Sequence, residues 1–200
     1  MHPMAINATA RSQKQAWSIF GLCFSYVIIR QVVLGPISPA QIPLYLANKA
    51  IAFTALVFLV QSACLLASSD PLASAIWGRR ALHLSALHVT ISLILQGQIF
   101  YPQFYDMQGI LNVRGSLMLL FGALTAYAFW RLSHFQKGPR LRLIISLAGS
   151  ATVVGHLIPQ GIPDSFQPDL WSGHLPDVSL LSLAAIAAAI YDYWMQWRRQ

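Results

Sequence analysis

Three histidines stand inside apolar stretches of the chain: His83 and His88 in the run 81–100, and His156 in the run 143–162. Ionisable side chains are costly in hydrocarbon, so in such positions they are candidates for function. Imidazole nitrogen is a good iron ligand, and two helix-borne histidines facing one another across a bundle form a bis-imidazole site for haem b. His88 and His156, on different helices, are the candidate axial ligands of a haem iron, and His83 is the substitute for His88. His83 and His88 cannot clamp one iron together, because at 100° per residue they point about 140° apart on one helix. The competing role for each histidine is a hydrogen bond to a neighbouring helix, as glue in a cofactor-free membrane subunit that binds or assembles another complex. His2 lies in the N-terminal tail, His134 among basic residues and His174 in a polar connection.

No other constellation carries chemistry. The chain has no Glu, no H-E-x-x-H, no phosphate-binding loop and no acidic pair within an apolar run. Gly115-Ser116, Gly149-Ser150 and the Ala-rich stretch 183–189 read as small-residue helix contacts. Hydrolases and nucleotide-driven pumps are thereby disfavoured, and the absence of an inverted repeat disfavours a small-solute transporter.

The elements that must position the histidines follow from composition. Of 200 residues, 56% are hydrophobic and only 10% charged, against about 25% charged in soluble domains. The expected class is an all-α integral membrane protein, a single transmembrane domain over 1–200. Six apolar runs, 17–34, 44–66, 81–100, 116–132, 143–162 and 178–193, predict a six-helix bundle. The first run is too long for a signal-peptide core, so a cleaved leader is not expected. Turn-forming stretches separate the runs at 35–39, 68–71 and 136–139, and 159–177 is expected to be a long outer loop.

The net charge of +7 arises from short clusters between these runs, the arrangement of topology signals and not of a nucleic-acid surface. With the N-terminus inside, ten cations (Arg11, Lys14, Arg79, Arg80, Arg131, Lys137, Arg140, Arg142, Arg198 and Arg199) face the cytoplasm. Three, Arg30, Lys49 and Arg114, face outward. Both termini are therefore expected on the cytoplasmic side of a membrane, most simply a bacterial inner membrane. Cys23 and Cys64 form no C-x-x-C pair and read as buried thiols acting as small hydrophobes.

Depth is the difficulty for the pairing. Counted from Arg80, His88 lies about 12 Å in, and counted from Arg142, His156 lies about 21 Å in. A shared haem would then require the two helices to be offset by about two turns.

The order of features resembles the ferric-reductase-like transmembrane domain family, closest to the haem-binding membrane subunits of bacterial methionine sulfoxide reductase systems. The features are an outer Gly35-Pro36-Ile37-Ser38-Pro39 stretch, Gly78-Arg79-Arg80-Ala81-Leu82 opening a helix that bears His88, and a shorter fourth helix. A basic turn over 137–142 then leads to a helix bearing His156, and a last helix from Asp177 ends Trp197-Arg198-Arg199. The resemblance spans most of the chain as layout, and Arg-Arg-x-Leu is its most specific piece. It implies electron transfer from an inner-side quinol or flavoprotein through haem b to an outer-side protein acceptor, in an oxidoreductase subunit that works with partner proteins. Arg79 and Arg80 are then candidates to meet a haem propionate or the donor. The chain departs from the family pattern in three places. Leu143 stands where an inner fifth-helix ligand is usual, Leu93 where the third-helix ligand is usual, and His83 where glycine is common.

Overall fold

The computed structural model describes residues 3–35, 42–68, 70–134 and 139–198. Among them the regular structure is helical, the one extended pairing being an isolated bridge between Tyr105 and Leu111. Six α-helices follow in order: α1 Pro3–Ile28, α2 Leu44–Ala67, α3 Pro71–Ile94, α4 Val113–His134, α5 Pro139–Ser165 and α6 Val178–Trp197. Four segments are long and apolar enough to cross a membrane: Ser12–Val33, Leu44–Leu66, Val113–Leu132 and Ser172–Trp197. The apolar stretch of α5, Leu143–Pro159, is shorter, and α3 carries Arg79, Arg80, His83 and His88. Large apolar side chains such as Leu22, Leu72, Ile94 and Trp194 stand exposed. That surface suits lipid and not water, so the chain is a membrane protein.

The third helix departs from its expected bounds at both ends, starting ten residues before 81 and ending six before 100. Asp70 accepts a hydrogen bond from the Ala73 amide at 3.0 Å, and Pro71 takes the first helical position. This N-cap followed by proline fixes the start. The stretch 68–71 is therefore a helix origin as much as a turn, while the stretches at 36–40 and 135–138 lie outside the described residues. The expected outer loop is also shorter than 159–177. α5 continues through Pro159 and Pro163 to Ser165, leaving two short 3-10 turns, Pro168–Leu170 and Ser172–His174, before α6.

α2 is the hub: α1, α3 and α6 all pack on it, and α6 passes the chain of contacts to α5, which packs on α4. Toward one end, Phe58 and Leu59 of α2, Trp77 of α3, Leu143 of α5 and Ile186 of α6 form one buried cluster. Ser62 and Ser74 lock α2 to α3 there, each hydroxyl donating to the other's carbonyl at 2.8 Å. Ala189 and Ile186 are fully buried, small side chains in α6 letting its neighbours approach. α3 and α4 meet only weakly, so the ring of helices α3–α2–α6–α5–α4 encloses a space that is loosely closed on that side.

At the opposite end α1 continues into a single π-helical stretch, Ile29–Val33, that turns Arg30 inward until it is 8% exposed. Its guanidinium meets the Asp177 carboxylate at 3.1 Å and the Leu175 carbonyl at 3.4 Å. Asp177 is also the N-cap of α6, accepting from the Ser179 amide at 3.2 Å. Gly173, in the connection that leads to this contact, has φ +59°, and a Cβ there would run into Leu34. Gly173→Ala is expected to cost about 1–3 kcal/mol. A fall of about 2–4 °C per kcal/mol in the melting temperature of the detergent-solubilised protein would register it.

Candidate functional site

The structure brings His88 and His156 together, their ring centroids 6.5 Å apart and their planes at 81°. The expected two-turn offset is absent. Each histidine lies seventeen residues past the proline that begins its helix, Pro71 or Pro139. Arg80, taken as a marker of the inner surface, is instead the tenth residue of α3. Its guanidinium donates to the Ser12 carbonyl at 2.9 Å and the Ser12 hydroxyl at 2.8 Å, and it lies 5.0 Å from the Trp77 ring centre. It ties α3 to α1. His83 is exposed on the cavity wall and is not part of the paired rings.

Both imidazoles are oriented through Nδ1. His156 Nδ1 lies 2.9 Å from the Met118 carbonyl of α4, and His88 Nδ1 lies 2.8 Å from Asn48 Oδ1 of α2. A carbonyl oxygen only accepts, so each Nδ1 carries the proton and donates, and the ring lone pair resides on Nε2. The orientation of the Asn48 amide is consistent with this, because its Nδ2 donates to Ser92 Oγ at 2.9 Å and reaches toward Tyr101 Oη at 3.5 Å. Asn48 is 1% exposed. Burial pushes the Tyr101 phenol up to about 12, so that hydroxyl stays protonated at neutral pH.

Nδ1–H bonded to a carbonyl with Nε2 turned to a metal is the usual arrangement of a ligating histidine. With metal–imidazole bonds of about 2.0–2.1 Å, two rings on opposite sides of one ion have centres about 6.3 Å apart. The separation seen here agrees. An edge-to-face ring contact spans a similar distance, but it makes no demand on the tautomer. The α4 backbone is also cut to receive the ring. A Cβ on Gly122 would stand 3.2 Å from His156 Nδ1, so the absence of a side chain lets the imidazole lie against that turn.

A cavity of about 1140 Å³ surrounds the pair, above the roughly 300–1,000 Å³ of ordinary ligand pockets. α3 supplies Ala86 and Val89, α4 supplies Leu119, Ala123 and Ala126, and α5 supplies Val153. Such walls accept a flat apolar body, and the residues present therefore fit a macrocycle held by two imidazoles. Among the described residues no group of three or more His, Cys, Asp or Glu is gathered for a metal ion.

Arg30 and Lys49, two of the three cations expected on the outer side, also line the cavity. Lys49 sits 4.8 Å over the Tyr45 ring. With the Gln31 amide oxygen turned toward them, it accepts from Arg30 Nη1 at 3.0 Å and from Lys49 Nζ at 3.3 Å. The third outer cation, Arg114, donates through Nε to the Pro159 carbonyl. The remaining features lie elsewhere. His174 is exposed at φ 57°, and Cys64, expected to be buried, is exposed and donates to Asp192 Oδ2 at 2.9 Å. Asn48, Gly122 and the Met118 carbonyl are the functional contributors that sequence reasoning missed. The one available signal was an Asn-Lys pair interrupting the apolar run 44–66.

A scan against protein-family models matches none, and a search of curated proteins finds no relative of this chain.

Proposed function

We propose that this membrane protein is a haem b-binding electron-transfer subunit of ferric-reductase-like layout. Six helices cross a bacterial inner membrane with both termini on the cytoplasmic side. The observation that carries the reading is the His88–His156 pair, with both Nδ1 protons committed to carbonyl oxygens and both rings at the spacing of axial ligands. Ten of thirteen cations lie on the side assigned to the cytoplasm, in accord with the orientation.

Haem b, when bound, supplies reversible one-electron transfer. His88 and His156 would hold its iron through Nε2. Asn48 and the Met118 carbonyl fix both ring orientations and, by drawing on the Nδ1 protons, make the imidazoles more basic donors. The apolar walls of α3, α4 and α5 would exclude water from the bound group. Electrons would arrive from a quinol or flavoprotein on the inner side and leave to a protein acceptor outside. Reductase activity would then be shared with the partner proteins that supply and accept the electrons.

An optical spectrum tests the reading. Protein purified in detergent after expression with ample haem is expected to show a sharp Soret band, with α and β bands on dithionite reduction. A featureless visible spectrum from well-folded protein overturns it. The interhelical hydrogen bonds of the two histidines would then be packing only, in a cofactor-free assembly subunit.

A further inference from the structure

The cavity is apolar through most of its wall but carries fixed positive charge at one end. Arg30 reaches it from the π-helical end of α1 and Lys49 from α2, one residue beyond the Asn48 that orients His88. Both side chains share the Gln31 amide oxygen. Among the described residues, Asp177 lines this end, pairs with Arg30 at 3.1 Å and also interacts with the charge of Lys49, so two cations share one anion and the end keeps a net positive charge. Charge set in a low-dielectric wall is costly unless it is matched. A ligand that brings a carboxylate to this end supplies the match. Neither Arg79 nor Arg80, the inner candidates for this role, lines the cavity, and the Arg80 guanidinium is spent on Ser12 and the Trp77 face.

Resting on the haem reading, we propose that Lys49 and Arg30 form the carboxylate seat of the cavity. The propionate edge of the macrocycle then points to the outer end, toward the junction of α1, α2 and α6, with Lys49 making the principal ion pair. Arg30, already held by Asp177, offers its remaining N–H groups as hydrogen-bond donors. The opposite, carboxylate-free edge faces the inner half of the bundle.

The test compares haem with its dimethyl ester, which keeps the iron and ring but lacks the carboxylates. Apoprotein made under haem limitation is titrated with each in detergent, and binding is read from the bis-histidine Soret band. Wild type is expected to bind haem about tenfold or more tightly than the ester, the worth of a charge-assisted hydrogen bond. Lys49→Met is expected to bring the two affinities to within about threefold, and Lys49→Arg to restore the preference. An Arg79→Gln, Arg80→Gln double variant is expected to leave the preference unchanged. Equal affinity of wild type for haem and ester, with an intact bis-histidine spectrum, overturns the seat and leaves the axial assignment standing. A preference abolished by the Arg79, Arg80 variant and kept by Lys49→Met also overturns it, placing the carboxylates at the inner end. Failure of both ligands to give the spectrum overturns the haem reading and the seat with it.

Discussion

Replacing His156 by alanine is expected to abolish the low-spin haem spectrum while leaving helix content and monodispersity in detergent near those of the wild type. The ring contributes one of two axial bonds, and its removal leaves an iron with a single strong ligand and an apolar wall in place of the second. His88→Ala is expected to do the same from the other side. His83, the substitute candidate, lies on the wall of the same cavity but five residues earlier on α3 and about 140° around the helix, so it is not expected to restore the pair without a shift of α3. The outcome differs from that of a purely structural histidine. Loss of an interhelical hydrogen bond would cost about 1–2 kcal/mol and leave no spectral trace. Added imidazole is expected to restore the low-spin bands in either alanine variant, since the vacated volume matches the missing ring. Haem bands that persist unchanged in both variants would place the ligands elsewhere.

The second large effect falls on a residue that touches no cofactor. Asn48→Leu removes the 2.8 Å acceptor from His88 Nδ1, leaving only Ser92 Oγ at 3.5 Å, and deletes the Asn48 Nδ2 contacts to Ser92 and Tyr101. Outer-shell partners of this kind are worth about 10–100-fold in metal affinity. The potential should move as well. Hydrogen bonding at Nδ1 makes the imidazole a stronger donor and favours ferric iron, so its loss raises the midpoint potential, by about 59 mV for each tenfold change in the ferric-to-ferrous binding ratio. Asn48→Asp, which strengthens the acceptor, is expected to shift the potential downward. Redox titration of the two variants beside wild type checks the sign. A common shift in both would mean that Asn48 acts through packing.

Much of the bundle was legible because apolar runs are long: the runs 44–66, 116–132 and 178–193 lie within α2, α4 and α6. α3 was misjudged because its inner half carries Arg79 and Arg80, which a hydropathy reading assigns to the aqueous side. In the fold Arg80 is satisfied laterally by α1, so the charge does not end the helix. The same error displaced His88 in depth. Counted from Pro71 and Pro139 the two histidines are level, and those prolines, not the arginines, were the informative marks. The pairing of His88 with His156 was therefore readable, whereas its supports were not. A backbone carbonyl such as that of Met118 has no sequence signature, and Gly122 looks like any small residue in an apolar helix. Arg30 and Lys49 read as topology signals, as cations near the ends of spans ordinarily do, and that reading carries no hint that they also line a cavity. What turned Arg30 inward is a π-helical stretch, a local change of winding without a distinctive residue pattern in this chain.

The weak meeting of α3 with α4 bears on how such a protein would be loaded. Elsewhere around the ring, neighbouring helices are zipped by direct side-chain packing; along this one seam the halves would be joined chiefly through whatever guest lies between them. A flat, oily guest dissolved in the bilayer needs no aqueous gate and no unfolding, because it can slide in edgewise between two helices that have little to separate. Assembly then divides into two stages, insertion of the helices and a later lateral docking. Under the haem reading the second stage would add the stiffness that the weak α3–α4 seam does not supply, making the robustness of the whole bundle depend on cofactor supply.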